Sequence, residues 1–185
     1  MTAALGAVAW LFLVVAFGAI VPVVPTGVAV SGAAALAAHN EPATVVLVVV
    51  AGGVGAYVGD LVMFALCRWG GEQLARRLRW LRDPRRLART TERLRDRQVS
   101  VLLVSRLLPG GRVPVLLAAG FIGLSWHKFV LANAPACALW SAMYTAVGLL
   151  GGAVFPEPWE AVAATVLLVL LISQGAAWWG RRRER

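Results

Sequence analysis

The chain has 185 residues, 59% of them hydrophobic and 15% charged, with a formal net charge of +9. Soluble domains carry about 25% charged residues, so this composition excludes an ordinary soluble domain and marks an integral membrane protein. The basic excess is not a nucleic-acid surface. Eleven of the eighteen Lys and Arg residues fall between Arg68 and Arg97 and four more lie in 181–185, and basic clusters beside apolar segments mark the cytoplasmic face.

Along the chain, four stretches are apolar over the roughly 20 residues that a bilayer crossing needs: 3–21, 44–66, 129–155 and 161–179. The first lacks the basic region of a cleavable signal peptide and is read as a retained helix. Two further apolar stretches are broken. Segment 22–38 holds Pro22, Pro25, Gly27 and Gly32, and segment 99–122 holds Arg106, Pro109, Gly110, Gly111, Arg112 and Pro114. An arginine at the centre of a membrane helix costs roughly 2.5–3.5 kcal/mol on insertion scales. Irregular backbone at that depth survives only where protein buries it or a wet cavity meets it.

Topology follows from charge. If the basic linker 68–98 and the tail 181–185 both face the cytoplasm, an even number of crossings separates them. Segments 129–155 and 161–179 supply two, so 99–122 dips in from the cytoplasm and returns. By the same logic 22–38 dips in from outside, between a first helix running outward and a second running inward. The fold class is then an all-α integral membrane protein, with about four transmembrane helices and two opposed re-entrant hairpins in an inverted repeat. It forms one domain over 1–185, with halves 1–67 and 99–180 and both termini cytoplasmic. A weak internal repeat agrees: 52–71 laid over 133–152 aligns the terminal Gly-Gly pairs and sets Asp60 opposite Ser141. In the linker, Leu74, Leu78 and Leu81 share a helical face among arginines. This is read as an amphipathic helix on an anionic leaflet or as a solvated positive-inside loop.

Asp60 is the only acid within an apolar span. Gly52, Gly55, Ala56 and Gly59 beside it let that helix pack closely on a neighbour. An embedded carboxylate is a candidate proton carrier or arginine partner; its structural alternative is an ion pair joining the repeats. Arg106 and Arg112 present donor forks suited to phosphate or carboxylate, and Pro109-Gly110-Gly111 can expose backbone N–H groups as an anion nest. The alternative is that Arg106 pairs with Asp60 while Arg112 snorkels to the interface. Pro22, Pro25, Gly27, Pro109 and Pro114 are the expected hairpin hinges. Cys67 and Cys137 lie in separate apolar segments and His39 and His127 in separate loops, so no metal, redox pair or cofactor is expected. Catalytic motifs are absent, and the chain is read as a non-enzyme.

These residues carry a resemblance. Arg106-Leu-Leu-Pro109-Gly110-Gly111-Arg112 through Ala118-Ala-Gly120 resembles the arginine motif of the DedA family, also called the VTT-domain or SNARE-associated Golgi protein family. Trp126 to Phe129, Asn133, Trp140, Gly148 and Gly151-Gly152 are similar to its next helix, and Gly55, Gly59, Asp60, Arg68 and Gly70-Gly71 to its upstream glycine elements. The resemblance covers about residues 20–152. It implies opposed re-entrant hairpins, a bacterial inner-membrane location and movement of phospholipids or undecaprenyl phosphate, often proton-coupled. Asp60 would be the embedded acid, and Arg106 and Arg112 the essential arginines. The family's first hairpin usually carries a glutamate soon after its second proline, whereas Pro25-Thr-Gly-Val28 has none.

The leading expectation is a flippase or scramblase for a phosphate-bearing lipid, bound through Arg106 and Arg112 with Gly110 and Gly111. A proton- or ion-coupled transporter of a small anion is the alternative, with Asp60 titrating. A membrane-organising protein using its basic linker is the third. Anionic lipids are the expected partners, and homo-oligomerisation is left open.

Overall fold

The computed structural model describes residues 2–21, 26–37, 42–77, 98–107, 112–121 and 123–154, with isolated positions 160, 163, 164, 167, 171 and 175. Among them every extended element is an α-helix: α1 (Thr2–Ile20), α2 (Thr26–Ala37), α3 (Pro42–Arg77), α4 (Gln98–Leu107), α5 (Arg112–Phe121) and α6 (Trp126–Val154). Pro22, Pro25, Pro109, Gly110, Gly111, most of the basic linker, segment 161–179 as a continuous element and the tail 181–185 lie outside the described residues.

Local chemistry sets the helix ends. α1 stops before Pro22, because a proline ring disfavours helical geometry in the residue preceding it. α3 opens on Pro42, where a missing N–H costs nothing, and it continues beyond the expected span end, through Gly70-Gly71, to Arg77. α5 carries Pro114 in its first turn, where proline is tolerated. Its far end closes in a Schellman turn: Gly123 adopts φ +64°, its N–H donates to the Gly120 carbonyl at 3.2 Å, and the Leu124 N–H donates to Ala119 at 3.1 Å. Ser125 then caps α6, its hydroxyl accepting from the Lys128 N–H at 3.4 Å.

Large apolar side chains face outward while polar ones are enclosed. Trp10, Phe17, Leu131 and Leu150 are exposed, whereas Ser31, Asp60, Asn133, Ser141 and Thr145 are buried. The 29-residue stretches Pro42–Gly70 and Trp126–Val154 are long and apolar enough to cross a bilayer.

Close contacts at small residues fix the helix directions. A side chain at Gly52 would meet Ser141 at 2.7 Å, while Asp60 meets Asn133, so α3 and α6 run antiparallel. α5 lies along α3 in the same direction, with Arg112 at Asp60 and Gly120 against Cys67. Gly27 abuts the Tyr144 ring and Gly148 abuts Ala34, so α2 follows α6. Arg106 reaches Asp60 and Trp140 at the end of α4, while Leu102, one turn earlier, belongs to the core cluster that contains Phe64 and Phe129. α4 therefore also follows α6. The pairing is reciprocal in the offset that sets Asp60 opposite Ser141: that offset sets Gly52 opposite Asn133, and Gly52 meets Ser141 while Asp60 meets Asn133. A twofold relation between the halves requires this pattern.

α1 departs from expectation. Gly55 abuts Phe12 and Gly59 abuts Ala16 and Ala19, so α1 runs in the same direction as α3 rather than opposite to it. α1 and α2 run antiparallel as one hairpin with the end of α1 near Asp60, and α4 and α5 run antiparallel as a second, with the end of α4 and the start of α5 at Asp60. Of the expected hairpin 22–38, residues 26–37 form the single helix α2, and Gly27 and Pro114 sit inside helices. The start of α1 and the Arg68 end of α3 lie at opposite ends of the bundle. α1 has neither an acidic first turn nor a basic last turn to signal its direction.

Glycine packing gives a direct test. Gly59→Leu would drive a side chain into the Ala16 carbonyl, 2.6 Å from where a Cβ would stand, and should cost about 1–3 kcal/mol in detergent thermal unfolding. Gly6→Ala, with nothing within 4 Å, should leave the unfolding temperature unchanged or slightly raised.

Candidate functional site

Asp60 stands on α3 beside the close contact of Gly59 with α1, and 1% of its side chain is exposed. Two cations converge on it. Arg106, in the last turn of α4, donates from Nη1 to Oδ2. Arg112, at the start of α5, donates from Nε to Oδ1 at 2.5 Å and pairs with the same oxygen through Nη2. Arg106 stands in the last turn of α4 and Arg112 opens α5, so both guanidiniums lie at the same end of this helix pair. Arg106 pairs with Asp60, as the structural alternative held, but Arg112 does not snorkel away. It shares the same carboxylate.

Further groups complete the shell. Asn133 donates from Nδ2 to Asp60 Oδ2 at 3.0 Å, and the Cys137 thiol donates to the same oxygen over 3.6 Å. These two lie one turn apart on α6, either side of Pro135. The Arg112 Nη2 also donates to the Ala19 carbonyl at 2.5 Å. That carbonyl belongs to the last turn of α1, where unpaired carbonyls form the negative end of the helix dipole. The Arg106 guanidinium carbon lies 5.2 Å from the centre of the Trp140 ring, within cation–π range. Arg106 Nε is buried with no hydrogen-bond partner.

Asp60, Arg106 and Arg112 are therefore brought together. Asn133, Cys137, Trp140 and the Ala19 carbonyl join them without having been given a site role from sequence. For Asn133 a signal was present, since a buried amide in an apolar helix needs a polar partner. The Ala19 carbonyl carries no side-chain signal. Arg68 stands apart, donating to the Leu124 carbonyl at 2.8 Å, where it fastens the α5–α6 turn to α3.

The charge sum decides what this arrangement can do. One carboxylate faces two guanidiniums, leaving one positive charge in excess in a buried setting. An uncompensated buried charge costs several kcal/mol, so the cluster favours an anion. Arg112 is the accessible member, with 18% of its side chain exposed against 5% for Arg106.

The three charges should behave as a unit. Asp60→Asn should cost about 3–5 kcal/mol, because it leaves two buried cations without a counter-charge. Adding Arg106→Met to that variant should recover part of the loss in thermal unfolding. Strictly additive losses would show that the three groups are independent.

A family model described as the VTT domain matches residues 21–150, more than two thirds of the chain and nearly the stretch over which the sequence motifs resemble that family. No curated protein and no solved structure matches the chain. The matched region contains Asp60, Arg106, Arg112, Asn133 and Cys137, and the chain belongs to the VTT-domain family of DedA-type membrane proteins.

Proposed function

We propose that this protein moves a phosphate-bearing lipid across a bacterial inner membrane as a flippase or scramblase, without catalysing a reaction. The observation that carries the reading is the pair of guanidiniums sharing one carboxylate where the end of α1, the end of α4 and the start of α5 converge on α3. The headgroup phosphate would exchange into the donors of Arg106 and Arg112, aided by backbone N–H groups at Gly110-Gly111. Its tails would stay in the bilayer.

Helix lengths support a membrane-buried site. α4 and α5 have 10 residues each, roughly 15 Å at 1.5 Å per residue, which is half of a hydrocarbon core about 30 Å thick. Each arm can enter and leave but cannot cross. Asp60 lies eight residues before Arg68, about 12 Å of helix rise. If Arg68 marks the interface, the cluster sits near the midplane, the depth typical of transporter sites. In this arrangement α3, α6 and 161–179 cross fully, both hairpins are re-entrant, and the linker and tail face the cytoplasm.

Two experiments test the reading. In proteoliposomes, Arg106→Ala and Arg112→Ala should each slow fluorescent-lipid translocation at least about tenfold, the loss of roughly one charge-assisted contact; unchanged rates in folded variants would remove both residues from the site. For sidedness, a cysteine at the start of α1 should react with an impermeant reagent from outside intact cells, while one in 72–97 should not. Labelling of both from the same side would overturn the arrangement.

A further inference from the structure

Resting on the reading of this cluster as a phosphate site, we infer that Asp60 sets the charge of the site and thereby selects a singly charged phosphate diester over a doubly charged phosphate monoester. The charges facing the cluster can be counted element by element among the described residues. α3 brings Asp60 and the neutral phenol of Tyr57, α4 brings Arg106, and α5 brings Arg112. α6 brings the amide of Asn133 and the thiol of Cys137. α1 brings a carbonyl, Ala19, and α2 has no ionisable side chain. The segments joining the hairpin arms, 21–25 and 108–111, contain no charged residue, and Glu41 lies a full 19 positions before Asp60 in the chain. Among the described residues the sum is one positive charge.

A ligand with one negative charge brings this enclosed sum to zero. A ligand with two leaves a negative charge in a setting where an unmatched charge is heavily penalised. Donor supply is not limiting. A guanidinium has more N–H groups than one carboxylate oxygen can accept, and Arg106 Nε is buried and unpartnered. The two guanidiniums can therefore bind a phosphate without Asp60 leaving, and Asp60 is retained as a charge selector. A phosphodiester headgroup, as in glycerophospholipids, fits this sum. A lipid phosphomonoester fits it only when it carries one proton.

The test uses the full-length protein in detergent with two short-chain lipids, dioctanoyl phosphatidylglycerol as the diester and dioctanoyl phosphatidic acid as the monoester. A phosphomonoester loses its second proton near pH 6, so binding is measured at about pH 5 and about pH 8.5. The monoester should weaken about tenfold or more between these values while the diester stays constant, which also controls for titration within the protein. Folded Asp60→Asn, with its site one charge more positive, should reverse the order and prefer the doubly charged monoester at the higher pH. The wild-type measurements decide the matter if that variant does not fold. A monoester that binds equally or more tightly as it gains its second charge, while the diester also binds, would overturn charge selection and leave the phosphate site standing. Saturable binding of neither lipid would overturn the phosphate site itself, and charge selection with it.

Discussion

One carboxylate holding two guanidiniums is the interaction on which the architecture depends. Arg106 and Arg112 come from the two arms of one hairpin, Asp60 from a long helix, and the Ala19 carbonyl from the end of the opposite hairpin's first arm. Breaking that node would release the ends of α4 and α5 from Asp60 and remove the Arg112 bond to the end of α1. In low dielectric such a network is strong when satisfied and costly when partly broken. In the proposed reading the same two guanidiniums hold Asp60 and receive the phosphate beside it, so the node that orders the bundle is also the ligand site.

Small residues make the node geometrically available. Apolar side chains gain little by leaving lipid for a protein interior, so helices associate by close packing and buried polar contacts. Gly55 and Gly59 bring α1 against α3, Gly52 brings α6 against it, and Gly148 brings α2 against α6. Hydroxyl bonds add to this: Ser141 donates to the Val49 carbonyl and Ser31 to the Tyr144 carbonyl, each at 2.8 Å. The two halves pair reciprocally but are chemically unequal. Where one half has Asp60 the other has Ser141, and the first hairpin joint, Val21 to Pro25, is uncharged. Among the described residues the charges of this reciprocal pairing are gathered on one side, at Asp60, Arg106 and Arg112.

Much of this was legible in the residues. The insertion cost of Arg106 and Arg112, the isolation of Asp60 and the glycine spacing around it all pointed to the cluster before any geometry was known. The direction of α1 was not legible. Nineteen apolar residues are long enough to cross a bilayer, and without flanking charges nothing in their order says whether they cross or turn back. Pro22 marked a helix end, but not its depth. Asn133 and Cys137 became part of the site only through the antiparallel approach of α6 to α3, a tertiary fact. The contribution of Ala19 is a backbone one, invisible to any reading of side chains.

A cryo-electron microscopy structure of the protein in phosphatidylglycerol nanodiscs tests the central claim most directly. The account predicts headgroup phosphate density within hydrogen-bonding distance of both Arg106 and Arg112, at the level of Asp60. A lipid-filled structure in which the two arginines contact only Asp60, Ala19 and Trp140, with headgroups confined to the membrane surfaces, would contradict it.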